Sequence, residues 1–121
     1  MFTRIHVLKF QNKVAKDSLK NTCRLINDKL LKKGLCSSTF VDVNDTNLYV
    51  INTWKDEKTS DKAHSQYTDF VKQVKEMGVN IVIVGGDTEV IYSDPSILQK
   101  YTKIALNVLC LCFSNKNLYI D

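Results

Sequence analysis

The feature that most constrains this chain is a set of strand-like segments that are apolar on both faces. In residues 3–10 (T-R-I-H-V-L-K-F), Ile5 and Val7 point one way while Leu8 and Phe10 point the other. In residues 48–54, Leu48, Val50 and Trp54 oppose Tyr49 and Ile51. In residues 79–84, Ile81 and Ile83 oppose Val82 and Val84. A bare apolar sheet face is rarely left in water, so both faces of the resulting sheet need a cover.

Helices between these segments cover one face. After Asn12, a good N-cap, Leu19, Cys23, Ile26 and Leu30 recur at helical spacing, and Lys32, Lys33 and Gly34 close the segment. Residues 39–43 and 48–54 flank the turn-prone Asn44-Asp45-Thr46-Asn47 and read as a hairpin. A second helix is predicted from Thr59-Ser60-Asp61, with Ala63, Tyr67, Phe70, Val71, Val74 and Met77 as its buried stripe and Gly78 as its stop. Residues 79–84 then form a strand, Gly85-Gly86-Asp87 a turn, and residues 89–92 a further short strand.

The element order is βαββαβ, which in one compact unit gives a ferredoxin-like α+β sandwich: an antiparallel sheet with both helices on one face. Two covers are available for the other face. One is a third helix predicted after Asp94-Pro95, with Ile97, Leu98, Tyr101, Ile104, Ala105, Val108 and Leu109 on one side, followed by an edge strand at Leu118-Tyr119-Ile120. The other is a second copy packed sheet to sheet, for which roughly 800 Å² per partner suffices. The expected organisation is a ferredoxin-like domain over residues 1–93 and a helical extension over 94–121.

Composition narrows the class. At 121 residues with 44% hydrophobic and 25% charged residues, the chain suits one globular domain. The longest apolar-rich run, residues 104–113, is about half of what a spanning helix needs. The N-terminus alternates polar and apolar instead of opening an apolar leader, so a soluble cytoplasmic protein is expected, with no membrane partner. Residues 1–33 carry nine basic and two acidic side chains. The lysines fall mostly on the polar face of the first helix, where solvation is the default, and nucleic acid is not an expected partner. Four cysteines form no C-x-x-C pair, so no metal site is expected. Val84-Gly85-Gly86-Asp87 has neither the glycine spacing nor the lysine of a phosphate loop.

The run Leu48-Tyr49-Val50-Ile51-Asn52-Thr53-Trp54-Lys55-Asp56-Glu57, followed by Ser60-Asp61-Lys62-Ala63-His64 and Phe70, resembles the antibiotic biosynthesis monooxygenase-like family over about residues 3–93. In that family a strand ending in tryptophan, an acidic or polar turn and a helix carrying Ala-His follow in this order. The resemblance implies a dimeric α+β barrel with a small pocket between helices and sheet in each subunit. It also implies oxidation of an electron-rich aromatic of quinol or anthrone type by molecular oxygen, with no flavin, haem or metal cofactor. The alternative is a non-catalytic, small-molecule-binding or stress-responsive barrel of the same fold. Haem degradation, a further activity in the family, is not expected, because Val74 stands where that branch has histidine.

The candidate residues follow from this pattern. His64 sits at the edge of the second helix's apolar stripe, where an imidazole suits a general base. Trp54 and Asn52 share a strand face with Val50 and are candidate catalytic partners, the asparagine to orient a substrate oxygen. Tyr67, one turn after His64, together with Thr53, Val71 and His6 on the first strand, completes the expected substrate-binding set. Each has a plain structural reading as well: Trp54 as a core anchor, His64 as a surface histidine.

Overall fold

In the computed structural model, residues 1–90 and Asp94 are described. The third helix expected after Asp94, the edge strand over 118–120 and residues 91–92 of the expected short strand lie outside the described residues, while Glu89 and Val90, expected to open that strand, are not in one. Among the described residues seven elements run β1 (Phe2–Lys9), α1 (Lys13–Leu31), β2 (Leu35–Asp42), β3 (Asn47–Trp54), α2 (Glu57–Gln66), α3 (Thr68–Glu76) and β4 (Asn80–Asp87). The strands form one sheet in the order β2-β3-β1-β4, with every neighbouring pair antiparallel. This is the ferredoxin-like α+β arrangement.

Pairing register assigns the faces. Phe40, Val50, His6 and Ile83 stand in one row across the sheet, and Ser38, Asn52, Arg4 and Gly85 in the next. Directly opposed residues share a face, so both rows belong to the side the helices cover. The other side carries Val41, Tyr49, Ile51, Ile5, Val7, Val82 and Val84. Among the described residues this outer side stays open: Val82 is 60% and Val84 51% exposed.

The core divides into two clusters. Leu8, Phe10, Leu19, Leu48, Val50, Val74 and Val79 form one; Leu30, Leu35, Trp54 and Ala63 form the other. Helix α1 is capped as its sequence predicts, Asn12 accepting from the Ala15 N–H at 2.8 Å. Its stripe holds one surprise, the buried Lys16, whose ammonium donates to Asp42 and, at 2.8 Å, to the Asn44 carbonyl. The Asn44 side chain organises the β2–β3 turn by accepting from the N–H groups of Thr46 and Asn47.

Three local expectations are corrected. The second helix begins earlier, because Asp56 rather than Thr59, Ser60 or Asp61 is the cap, accepting from the Thr59 N–H at 2.7 Å. The helix also breaks at Tyr67, whose φ of −115° and ψ of 16° leave the helical range. The Thr68 hydroxyl donates to the carbonyls of Ser65 and His64 at 3.3 and 3.4 Å, competing with the backbone N–H groups for them. Finally, Gly85, Gly86 and Asp87 do not turn the chain. They continue β4, paired with Arg4, Thr3 and Phe2, and a side chain at Gly85 would sit 2.9 Å from the Phe2 ring.

Candidate functional site

Between the two core clusters lies a cavity of about 120 Å³. Strands β1, β3 and β4 form its floor, α1 one wall, and α2 with α3 the other. Five of the sequence-predicted residues other than His64 line it with that histidine: His6, Asn52, Trp54, Tyr67 and Val71. Alternation accounts for the floor, since Asn52 and Trp54 are two residues apart on β3 and His6 is opposed to Val50 on the same face. The break at Tyr67 lets α2 present His64 and Ala63 while α3 presents Phe70, Val71 and Val74 to the same space.

Thr53 does not join them. It opposes Thr3, and the two hydroxyl oxygens lie 3.1 Å apart. A residue next to Asn52 on a strand must point to the opposite face, so the expected substrate contact from Thr53 is corrected to a cross-strand hydrogen bond on the outer side.

The His6 and His64 rings stack in parallel, 2° from coplanar, with centroids 5.4 Å apart. Burial holds the His6 pKa down to about 4, helped by repulsion from His64 and Arg4 and opposed in part by the backbone of Val50. Burial also lowers the His64 pKa below the usual histidine value, with Arg4 adding to the effect and Asp61 opposing it. Both rings are therefore neutral at pH 7, the state in which an imidazole nitrogen accepts a proton.

Two further atoms mark the site. Nδ1 of His6 and Nε1 of Trp54 are buried with no hydrogen-bond partner among the described residues. A buried unpaired donor such as the indole N–H costs about 1–3 kcal/mol. Asn52, itself buried, has its Oδ1 engaged by the Ser38 hydroxyl at 2.6 Å, which leaves its NH₂ as the group with donors to offer. Cys23 lines the cavity from α1, and burial pushes its thiol pKa up to about 11, so it is not a nucleophile at neutral pH.

Sequence reasoning missed Arg4 and the α1 wall. Arg4 shares the His6 face of β1 and bridges to α2, its Nε donating to the fully buried Ser60 hydroxyl at 2.6 Å and its guanidinium pairing with Asp61. Strict alternation from His6 was signal enough to find it. Cys23, Ile26 and Leu30 appeared only as core residues, because a helical stripe does not distinguish a packed wall from a cavity wall.

Fold and site together define a ferredoxin-like α+β domain with a half-open aromatic and aliphatic cavity between its helices and its sheet. Solved structures with this fold include one assigned as an antibiotic biosynthesis monooxygenase from Deinococcus radiodurans, at a TM-score of 0.61 and 11% identity, covering 78% of this chain and 98% of that one. The ActVA-Orf6 monooxygenase of Streptomyces coelicolor, in complex with nanaomycin D, matches at 0.56 and 11% identity, covering 76% and 92%. A dimeric ferredoxin-like protein from an uncultured marine organism matches at 0.57 and 14% identity, covering 74% and 97%. The chain thus has the fold of the antibiotic biosynthesis monooxygenase-like structures. No protein-family model matches the sequence, and no curated protein does. Among the described residues no group of three metal-ligating side chains occurs, and no helix is long and apolar enough to cross a membrane.

Proposed function

We propose that this protein is a cofactor-independent monooxygenase-like enzyme that oxidises a small, electron-rich aromatic with molecular oxygen, working as a homodimer. The observation that carries the reading is the neutral His64 imidazole in a cavity that also holds an unpaired indole N–H. His64 takes the proton of the substrate hydroxyl, and the Asn52 NH₂ and Trp54 Nε1–H donate to the oxyanion that forms. The electron-rich ring passes electrons to oxygen, and a ring carbon bonds to it. For a phenol, the O–H and one ring C–H bond break and a new C–O bond forms. The O–O bond then breaks, one oxygen atom stays in the quinone product and the other leaves as water.

The sheet supports the homodimer. Its outer face offers Tyr49, Ile51, Ile5, Val7, Val82 and Val84 as a continuous apolar surface, suited to a second copy of itself. A non-catalytic small-molecule-binding protein of the same fold is the second reading, favoured by the largely apolar cavity lining. Oxygen uptake by metal-free protein with phenols, hydroquinones and anthrones separates the two. Uptake above background that falls about 10²–10⁴-fold in His64→Ala, the usual worth of a general base, supports the enzyme. Saturable binding without uptake overturns it in favour of the binding protein.

A further inference from the structure

We infer that the β4 edge of the sheet is the docking site for the chain's own residues 95–120. Residues 95–113 lie as a helix beside β4, on the side of the sheet that α2 and α3 cover, and 118–120 add a strand parallel to β4 along its outer edge.

The edge itself asks for a partner. Thr88 donates to the Met1 carbonyl at 2.9 Å, at the end of the β1–β4 pair. In an antiparallel ladder, residues bonded to the partner strand alternate with residues that point away. Val82, Val84 and Gly86 therefore bond to β1, and the backbone groups of Ile81, Ile83, Gly85 and Asp87 face outward. No residue from Val79 to Gly86 is charged, and all from Val82 to Asp87 are exposed. The β2 edge is interrupted by a register shift between Leu35 and Ser37, whereas β4 runs in unbroken register along β1. A long, uncharged, apolar edge of this kind is one that proteins cover.

The helix side of β4 is open as well. Ile81 and Ile83 line the cavity from this strand. Ile83 points to the side that the helices cover, yet it is 37% exposed. Among the described residues α2 and α3 thus leave the cavity's β4 side uncovered.

The chain after Asp94 has the length and pattern to fill both places. Residues 95–113 carry the stripe from Ile97 to Leu109 and as a helix measure about 28 Å at 1.5 Å per residue. The eight residues of β4 span about 27 Å. Ser114-Asn115-Lys116-Asn117 then supplies a turn before Leu118-Tyr119-Ile120. Handedness selects the side. Strand–helix–strand crossovers between parallel strands are right-handed almost without exception. β4 runs parallel to β3, and a step outward from β4 continues the direction of the β3-to-β4 crossover. A right-handed connection therefore puts the new helix on the same side as α2 and α3. It meets Ile83 and leaves Val82 and Val84 to the second copy.

Hydrogen exchange on the full chain, read by NMR, tests this. At least one of the Ile81, Ile83 and Gly85 amides is expected to exchange about 100-fold or more below the unprotected rate, at any protein concentration. Leu118→Pro combined with Tyr119→Pro removes whichever N–H faces β4. It should return those amides to the unprotected rate, while Val82 and Val84, bonded to β1, stay protected and report an intact domain. In a mixture of labelled and unlabelled chains, methyl contacts from Ile83 to the 97–109 stripe should arise within one chain. Unprotected exchange at all three amides of the native chain overturns the inference, as does protection that the double variant leaves unchanged. Contacts found only between chains give the edge to a second copy, and stripe contacts with Val82 and Val84 put the helix on the outer face; either overturns it. Should the variant unfold, the contacts in the native chain decide.

Discussion

At the scale of single residues, the site's behaviour follows from where β1 places its polar side chains. Arg4, His6 and Leu8 alternate onto the covered face of the sheet. Arg4 reaches α2 through Ser60 and Asp61, and His6 meets His64 from the same helix. This strand–helix contact positions the proposed base, while burial first and Arg4 second lower its proton affinity. The pH dependence has a definite sign. His6 falls from an ordinary 6.5 to about 4 on folding, so between those values the unfolded chain binds a proton that the native chain does not. Its contribution is complete above pH 6.5 and is lost as pH falls toward 4, at about 1.4 kcal/mol per pH unit, or on the order of 3 kcal/mol in all. Urea unfolding of the native chain and His6→Asn at pH 7 and pH 4.5 checks this. The variant should lose markedly less stability between the two pH values; equal losses would refute the assignment to His6.

At the scale of elements, short-range hydrogen bonds decide where helices start and stop. Asp56 captures the Thr59 N–H and starts α2 directly after β3, which frees Ser60 and Asp61 to hold Arg4. Thr68 diverts two carbonyls and divides what the apolar stripe alone describes as one helix. The α1–β2 connection depends on Gly34, at φ +98°, where an added Cβ would lie 2.3 Å from Thr59 Cγ2. Gly34→Ala should therefore cost about 1–3 kcal/mol, read as a lowered urea midpoint. Adding Thr59→Ser should restore part of the loss, since the clash involves the threonine methyl and the backbone strain does not. The β2–α1 packing carries its own acid sensitivity. Hydrogen bonds from Lys16 and Lys20 hold Asp42 down to about 2, so the contribution of that cluster is present above pH 4 and is lost as pH falls through 2.

At the scale of the whole molecule, the sheet has one face under helices and one open among the described residues. The open face pairs Ile5 with Ile51 and Val84, and Val7 with Tyr49 and Val82. Charges have no partner in that surface, which makes the homodimer directly testable. Light scattering on the native chain should give about twice 13.8 kDa, and Val84→Lys should shift it to the monomer mass while circular dichroism stays unchanged. A native chain that already scatters as a monomer would remove the second copy as the cover.

What the sequence by itself determined is the architecture and most of the cavity floor. Period-two alternation in β1 and β3 puts His6, Asn52 and Trp54 on one face, and period 3.6 puts His64, Tyr67 and Val71 toward it. Such patterns are legible because burial of apolar surface acts on every residue of an element and repeats along it. The break at Tyr67, the start at Asp56 and the passage of Gly85 and Gly86 through a strand were not legible. Each depends on one or two local hydrogen bonds or a single neighbouring ring, with no repeat to average over. Tertiary structure alone decided that two core clusters stand apart and leave about 120 Å³ between them. It also decided that Arg4 leans on α2 and that two histidines 58 positions apart in the chain stack face to face. Those properties belong to the spaces and contacts between elements, and the composition of no single element encodes them.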